Sequence, residues 1–463
     1  MDGLECSEIN RSELERTLRI DSEFYSKSAI KVSDMLQSRS HDLLTTFVNV
    51  SDGNHMGISD CFIDEGVPYY RGQDAGAFFI ENSNPICINE KTFELPVMKR
   101  SHLKKGDVIL SIVGTIGSLS LVYSDKSATC SCKLAILRPK EGKSAELLAT
   151  FLRGKYGQAQ ITRFTRGAVQ KGLILEDMDQ LVVPTLGDGI VEAIKNAVQS
   201  AYQIQEKANI HYREAQRTLM NSVGSILVPA ESVSVRNIST SFYTTGRLDA
   251  EYYQPKYEAI VKKLNTRETV LSLCNLHDKN YNPDAKQTYQ YIELADVGQS
   301  GDISDVDIQY GSDLPTRARR IVKSGQVIVP SVEGSLQSCA LITDEYDGVL
   351  CSTGFYVLDS DCINSETLLV LFKSEPIQAL MKQRCSGTIL TAISKDELLS
   401  MPLPMIDDDI QEEIAAKMQE AFTLRKQSKQ LLEYAKQAVE MAIEQGEDVA
   451  LEWLNTVTHE QEA

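Results

Sequence analysis

The sequence repeats itself once, at a period of about 220 residues. The block RIDSEFY at 19–25 returns as RLDAEYY at 247–253, and the offset between matched blocks drifts from 228 to 219, as loop insertions produce. Three further blocks keep the same order in both halves: LKKGDVILSIVGTIG with VKSGQVIVPSVEGSL, SAELLATFL with SETLLVLFK, and LEDMDQLVVPTL with SKDELLSMPLPMI. A duplication this long predicts two similar modules rather than a solenoid of short repeats.

Each half follows the same pattern of elements. A short helix comes after the RxDxE(F/Y)Y block, and Gly-punctuated β-branched runs such as VILSIV (108–113) and VIVPSV (327–332) indicate strands. A helix, a Gly-containing turn, a short acidic segment and a Pro-marked strand follow. The pattern predicts an α/β (α+β) fold with two similar domains joined by two long coiled-coil helices.

Each half closes with a long helix whose small and apolar residues are spaced alternately by four and three. The first lattice is Ile190, Ile194, Ala197, Ala201, Ile204, Ala208, His211 and Ala215. The second is Ile410, Ile414, Ala421, Leu424, Leu431, Ala435, Ala438 and Ala442, with Lys417 and Ser428 in its gaps. These are heptad seams, and they favour an intramolecular coiled coil. The alternative is two amphipathic helices, each covering its own domain.

These patterns divide the chain into five segments. We expect a first domain at 1–187, a first long helix at 188–224, a second domain at 225–406, a second long helix at 407–446 and an acidic C-terminal tail at 447–463.

Composition sets bounds on the class of protein. No apolar run approaches the ~18 residues that span a bilayer, and the polar, acidic N-terminus is unlike a secretion signal. The ten cysteines and six histidines are dispersed without metal-ligand spacing, which favours reduced cysteines in a cytoplasmic protein and no metal. The net charge of −18 argues against nucleic acid as a partner, but 407–463 alone hold 14 acidic and 5 basic side chains. A basic face can therefore exist elsewhere.

Motifs for catalysis are missing from the sequence. It has no GxxxxGK[ST] phosphate loop, no (N/D)PP(Y/F) tetrapeptide, no HExxH and no GxSxG. The segment Gly114–Gly117 resembles a phosphate cradle, but a tight turn between strands is the better interpretation. We therefore expect a binding protein with no catalytic residues and no cofactor of its own.

Basic and polar side chains recur at matched places in both halves, where phosphate contacts and base readout need them. The first set precedes a strand: Lys99, Arg100, Lys104 and Lys105, against Arg317, Arg319, Arg320 and Lys323. The second surrounds the Gly turn: Arg163, Arg166, Gln170 and Lys171, against Arg384, Thr388 and Thr391. The third lies on a strand-like run: Tyr70, Arg71, Gln73 and Asp74, against Tyr291, Glu293 and Asp296. The alternative for each cluster is a solvated loop.

The order of these motifs resembles that of a known family. R(I/L)D(S/A)E(F/Y)Y opens each half, GDVILSIVGTIG and GQVIVPSVEGSL lie mid-half, and GAVQKGLILEDMDQLVVP and GTILTAISKDELLSMPLP lie before the helices from Ile190 and Ile410. In this order the chain is similar to the specificity (S) subunit of type I restriction–modification systems.

The resemblance implies a non-catalytic subunit of a phage-defence complex. Two target recognition domains would each read one part of a bipartite double-stranded DNA site, and the helices would set the unread spacer and dock methyltransferase (M) subunits. A translocating restriction (R) subunit joins such complexes, and S-adenosylmethionine, ATP and Mg belong to the partner subunits. Arg166 beside Gly167 and Arg384 beside Gly387 would read different half-sites.

The chain departs from this pattern in its acidity and at Glu333, which replaces Val113 in the second mid-half turn. An acid there would repel phosphate but can accept from a cytosine amino group, or it lies in a solvated turn. Three alternatives stay open: a duplicated protein-interaction scaffold in another defence complex, a specificity subunit of a related type II-like methyltransferase–nuclease, and an enzyme with a cryptic centre.

Overall fold

The matched runs VILS at 108–111 and VIVP at 327–330 form fully buried strands in the computed structural model. The structure describes residues 7–14, 16, 18–63, 65–80, 85–167, 171–224, 233–298, 300–303, 306, 308–387 and 391–462, with only the backbone at 460–462. The chain divides into two compact units. The first unit is Met1–Gln205 with Lys426–Ala463, and the second unit is Glu206–Arg425.

We call the two halves of the sequence duplication the first and the second module. The first module contains a set of short strands and helices. Its strands are β1 (His41–Leu43), β2 (Val48–Asp52), β3 (Phe62–Ile63), β4 (Val67–Tyr70), β5 (Cys87–Ile88), β6 (Val108–Ser111), β7 (Leu119–Leu121), β8 (Thr129–Cys130), β9 (Leu134–Pro139) and β10 (Val182–Pro184). Its helices are α1 (Lys27–Gln37), α2 (Leu44–Phe47), α3 (Glu90–Phe93), α4 (Ala145–Arg153), α5 (Lys155–Phe164) and the long α6 (Asp188–Val223).

The second module repeats this set. Its helices are α7 (Phe242–Thr245), α8 (Pro255–Leu264), α9 (Val270–Leu273), α10 (Ser365–Lys373), α11 (Glu375–Arg384) and α12 (Lys395–Leu399), followed by the long α13 (Asp408–Gln445) and α14 (Glu447–Glu462). Its strands are β11 (Asn275–Leu276), β12 (Thr288–Ile292), β13 (Ile308–Tyr310), β14 (Ala318–Ile321), β15 (Val327–Pro330), β16 (Ala340–Leu341), β17 (Leu350–Ser352), β18 (Phe355–Asp359), β19 (Cys385–Ser386) and β20 (Ala392–Ile393).

Each module is built on an antiparallel central sheet that is buried on both faces. The strand order is β2-β9-β6-β7 in the first module and β11-β18-β15-β16 in the second. Successive side chains of a strand face opposite ways. Val108 and Leu110 accordingly join the core that includes the helices, whereas Ile109 joins a second core against the smaller sheet that contains β4 and β8. This two-sided burial explains why VILS and VIVP are continuous apolar runs.

The RxDxE block that opens each half fixes the end of a helix. Arg19 is paired with Asp21 and donates to the carbonyl oxygens of Phe164 and Thr165, at the C-terminal end of α5, at 3.5 and 3.4 Å. Unpaired carbonyls at a helix C-terminus attract cations. The counterpart Arg247 is paired with Asp249 and donates to the last residue of α11 and the residue after it, at 3.4 and 2.9 Å. The repeated block is therefore structural.

The two long helices expected from the heptad lattices are present and pack together in antiparallel directions. Ser428 donates to the Ala201 carbonyl at 2.8 Å in the first unit. In the second unit Lys417 lies 3.1 Å from Glu214. The Ala positions of both lattices are fully or almost fully buried. Small side chains let two helix backbones approach closely, so the pairing depends on these alanines.

Replacing Ser428 with alanine should lower the free energy of unfolding by about 1 kcal/mol. The hydroxyl is buried and its hydrogen bond crosses between the helices, and a typical hydrogen bond contributes about that amount. Thr423→Ala in the same helix is the matched control, because Thr423 is exposed and bonds only its own helix. Urea unfolding of both variants measures the difference, and an equal effect would contradict the buried contact.

The last residues form a helix rather than the tail expected from their acidity. Helix α14 starts after Gly446, whose φ of +107° turns the chain sharply. Ala450 and Leu454 on this helix are buried in the core of the first unit that also contains Val108 and Leu110. Glu447 accepts from the Gly187 backbone N–H at 2.7 Å. Acidic side chains occupy the other faces of an amphipathic helix, which composition alone does not distinguish from a solvated tail. No helix among the described residues is long and apolar enough to cross a membrane.

Candidate nucleic-acid interface

The best-matched polar positions of the two modules lie directly after β4 and β12. Arg71 follows Tyr70, which pairs with Cys130 of the parallel strand β8; Glu293 follows Ile292, which pairs with Cys351 of the parallel strand β17. The backbone dihedrals are φ −116°, ψ 170° at Arg71 and φ −115°, ψ 175° at Glu293. The first module therefore has an arginine, and the second module a glutamate, at structurally equivalent positions.

An aspartate holds each of these turns. The backbone N–H of Arg71 donates to Asp74 Oδ2 at 2.8 Å, and that of Glu293 donates to Asp296 Oδ2 at the same distance of 2.8 Å. Each aspartate caps a short 3-10 turn, at 72–74 and 294–296. An unpaired N–H at such a start is satisfied by a side-chain oxygen. The framework of the turn is therefore the same in both modules, while the side chain that it presents differs.

Other loop segments gather at the same end of each central sheet. In the first module Thr115 donates to the Gly72 carbonyl at 3.0 Å, and Val113 bridges to Gly172. In the second module Val332 bridges to Ala392, and the Glu333 N–H donates to the Thr391 carbonyl at 2.9 Å. We name this end of each module the loop face: 71–74, 112–117, 166–167 and 171–172 in the first, and 293–296, 331–336, 386–387 and 391–392 in the second. Residues 168–170 and 388–390, with the predicted Gln170 and Thr388, lie outside the described residues.

The bridges show that the expected replacement of Val113 by Glu333 is wrong, in agreement with the offset of 219 between the two blocks. Because Val113 pairs with Gly172 and Val332 pairs with Ala392, Val332 is the counterpart of Val113. Glu333 therefore stands where the first module has Gly114, whose φ is +87°. Glu333 is half-buried at the start of a 3-10 turn. The segment Gly114–Gly117 is a turn between β6 and β7, with positive φ at both glycines.

Arg166 and Arg384 do not occupy equivalent positions. Arg166 lies two residues beyond α5, whereas Arg384 is the last residue of α11. Arg166 is paired with Asp177 at 2.8 Å, and Arg384 lies 3.8 Å from Glu397. Burial lowers the pKa of Arg384. Both arginines have an acidic partner inside their own module, and their contact with DNA stays a prediction.

Two other residues of the set predicted around the Gly turn differ in exposure. Arg163 Nε donates to the Phe24 carbonyl at 3.0 Å, and its guanidinium lies over the Phe24 ring at 4.3 Å. Burial lowers the pKa of Arg163, so this side chain supports the opening block of the module. Lys171 is exposed, with Glu23 at 3.3 Å, and it lies on the loop face.

The first basic cluster lies mostly away from the loop face. Lys104 and Lys105 are exposed before β6 begins, whereas the loop face starts after β6 ends, so the two places are separated by at least the length of that strand, about 13 Å. Lys105 lies 3.4 Å from Asp125, and Arg100 is paired with Asp52. Lys99 is exposed beside Arg100.

The second basic cluster is divided in the same way. Arg317 Nη2 lies 4.0 Å from Glu293 Oε2 and belongs with the loop face, while Lys323 is exposed before β15 begins, at the opposite end of that strand. Arg319 donates to Asn282 at 2.6 Å, and Arg320 donates to the Phe355 carbonyl. Sequence proximity grouped four cations that the antiparallel strands separate.

Sequence reasoning missed the acidic partners of the predicted cations. Asp52, Asp177 and Glu397 each lie beside a residue that we expected to contact DNA. Their only sequence signal is the excess of acidic residues, which does not identify pairs. Within the described ranges, no group of three His, Cys, Asp or Glu side chains is placed to hold a metal ion.

Comparison with known proteins gives matches only among solved structures. No protein-family model and no curated protein matches the chain. The type I restriction–modification S subunit from M. genitalium is 13% identical, with a TM-score of 0.34 and coverage of 90% of this chain and 95% of that one. The HsdS subunit from Thermoanaerobacter tengcongensis is 14% identical, with a TM-score of 0.28 and coverage of 88% and 96%.

A third match comes from work on assembly and conformational transition of the type I R-M system. It is 15% identical, with a TM-score of 0.30 and coverage of 88% of this chain and 97% of that chain. All three belong to the systems that the sequence motifs resemble. Identities and TM-scores are low, so function is inferred below from the residues of this chain.

Proposed function

We propose that this chain is a non-catalytic, sequence-specific subunit that binds double-stranded DNA within a type I restriction–modification complex. Each module reads one part of a bipartite target through its loop face. The long helices set the spacer between the parts and dock the M subunits, and an R subunit completes the complex. S-adenosylmethionine, ATP and Mg are held by these partners, and the complex acts in the cytoplasm.

One observation supports this proposal above the others: a retained framework that presents different side chains. The aspartate-capped turns at Arg71 and Glu293 share backbone dihedrals and hydrogen bonds but carry opposite charges. A scaffold that bound two copies of one protein would keep the side chains of the two turns alike. Two modules that read unlike base sequences need the same frame with different side chains.

The acidity of the chain is compatible with this function because half of the acidic excess lies in 407–463. Lys171 lies on the loop face in an exposed ion pair with Glu23, so it can exchange this partner for a phosphate. Lys99, Lys104 and Lys323 are exposed as well. Partner subunits supply further contacts in such a complex. Affinity for DNA should therefore depend on assembly with the M subunits.

The proposal is tested by titrating salt against DNA binding by the chain assembled with its M subunits. Neutralised phosphates release counterions, so the affinity should fall linearly on a log–log plot with a slope of about −0.9 per phosphate contact. The M subunits alone are the control for sequence preference. Absence of DNA binding by the assembled complex would favour a protein-interaction scaffold. Methylation by the isolated chain, given S-adenosylmethionine and DNA, would show an enzyme instead.

A further inference from the structure

We propose that Arg71 and Glu293 are specificity-determining residues, and that they read opposite members of a G·C pair in the two half-sites: Arg71 a guanine and Glu293 a cytosine amino group. This inference rests on the proposed function and names the bases that one position of each loop face recognises. It starts from the equivalence of the two positions, which the β4 and β12 turns establish.

Both side chains are accessible from outside their module. Each follows the last residue of its strand, Tyr70 or Ile292, and these two residues are buried in the cores beneath the turns. The side chains of Arg71 and Glu293 are 35% and 44% exposed. Equal dihedrals and the same aspartate cap fix the direction of the Cα–Cβ bond alike in the two modules.

The arginine is anchored in a way that suits readout of guanine. Arg71 Nε lies 3.3 Å from Asp74 Oδ2, the oxygen that also accepts from the Arg71 backbone N–H. With Nε held there, the edge formed by the two terminal nitrogens is directed away from the turn. Two parallel N–H donors match the O6 and N7 acceptors of guanine in the major groove. A pre-anchored guanidinium also loses less side-chain freedom on binding.

The glutamate cannot serve as a phosphate contact. A carboxylate only accepts hydrogen bonds and repels a phosphate, so on a DNA-facing surface its favourable partner is a donor on a base edge. The donor that carboxylates contact in the major groove is the N4 amino group of cytosine. Arg317, 4.0 Å away and 60% exposed, offsets the charge of Glu293. Charge reversal at one fixed position therefore indicates base readout at both modules rather than a shared phosphate clamp.

The test for Arg71 uses the full chain assembled with its M subunits. Long-read methylome sequencing of a host that carries the wild-type complex first defines both half-sites. In Arg71→Ala, one guanine of one half-site should become degenerate while the other half-site is unchanged. Affinity for the wild-type duplex should fall about 5- to 150-fold, and duplexes altered at that guanine should lose nothing further.

Three results for Arg71 would overturn the inference. An unchanged methylation motif would show that Arg71 reads no base. A uniform loss of affinity for all duplexes, with a salt slope reduced by about 0.9, would show a phosphate contact. Loss of a base other than guanine would contradict the assigned chemistry. Arg71→Lys keeps the charge and stem but not the planar fork, so it should relax the same guanine as Arg71→Ala.

Glu293→Gln tests the assignment of Glu293 to a cytosine. An amide of the same shape pairs with adenine N6 and N7, so one cytosine position of the other half-site should shift toward adenine. A change in the half-site that Arg71 affects, or no change in the motif, would overturn the inference. Lys126→Ala removes an exposed cation of the same module that lies after β7, at the end of the sheet away from the loop face, so it is the matched control for assembly and should leave both half-sites unchanged. A wild-type complex without any sequence-specific motif would instead refute the proposed function itself.

Discussion

Replacing Arg138 with methionine should lower the free energy of unfolding of the first unit by about 3 kcal/mol. Arg138 Nε and Nη2 donate to the two carboxylate oxygens of Asp107, both at 2.7 Å, and the Asp107 side chain is only 1% exposed. Removing the arginine leaves a buried carboxylate without its charged partner, which costs about 3–5 kcal/mol. We expect the lower end because Arg138 is itself 37% exposed.

The reverse substitution should be much milder. In Asp107→Asn the remaining arginine can be solvated, so the cost should be about 1–2 kcal/mol, near that of lost hydrogen bonds. Lys105→Met is the control for an exposed pair, since Lys105 and Asp125 are both largely exposed, and it should cost less than about 1 kcal/mol. Denaturant midpoints with hydrogen exchange of β6 and β9 measure all three. Equal costs for Arg138→Met and Asp107→Asn would contradict a buried-charge effect.

The stability of the second unit should rise by roughly 3 kcal/mol between pH 8 and pH 10.5, and this rise should disappear in Lys373→Met. Lys373 is almost fully buried and donates to the carbonyl oxygens of Gln337 and Cys339 at 2.6 and 3.3 Å. Burial lowers the pKa of Lys373 to about 8, with smaller opposing contributions from Cys339 and Asp302.

The sign of this pH dependence of stability follows from the number of protons that the folded and unfolded states bind. Below pH 8 both the folded and the unfolded chain carry the proton, and the folded state bears the full cost of burying the charge. Between pH 8 and 10.5 only the unfolded chain holds the proton, so raising the pH favours folding. Above that range Lys373 is unprotonated in both states, and its contribution to the free energy of unfolding no longer changes with pH.

The measurement for Lys373 is the difference between wild type and variant in urea unfolding at several pH values. Cysteines and tyrosines also titrate in this range, but their contributions cancel in the difference. Lys373→Arg is the matched variant, because the first module has Arg153 here, donating to the carbonyl oxygens of Gly76 and Leu119. An arginine stays charged, so it should lack the rise as methionine does. A difference that does not vary with pH would contradict the lowered pKa of Lys373.

Repetition made much of the fold predictable. Matching the blocks at 19–25 and 247–253 predicts two modules, and the four-and-three lattices predict helices α6 and α13, because regular burial leaves a regular pattern in the sequence. The repeated block also marks a structural ion pair, that of Arg247 with Asp249. Helix α14 escaped prediction because its buried face is short and its acidic residues dominate the composition.

The candidate site was less predictable because it depends on register and tertiary pairing. Lys104 and Arg71 both looked suitable for DNA, but only the direction of β6 shows that Lys104 lies at the end of the sheet away from Arg71. Acidic partners such as Asp177 are distant enough in sequence that no short motif reveals them.

The seam of the two long helices has a symmetry of its own. Ala201 lies against Ser428, whose counterpart in the first helix is Ala208, and the counterpart of Ala201 in the second helix is Ala421. Ala208 and Ala421 are both fully buried, so the two lattices carry small, buried residues at matching positions. Matching surfaces of this kind are those by which identical chains form closed dimers. A lattice that is repeated position by position therefore suits either helix as a partner, and duplication preserves it while each half varies the residues that its loop face presents.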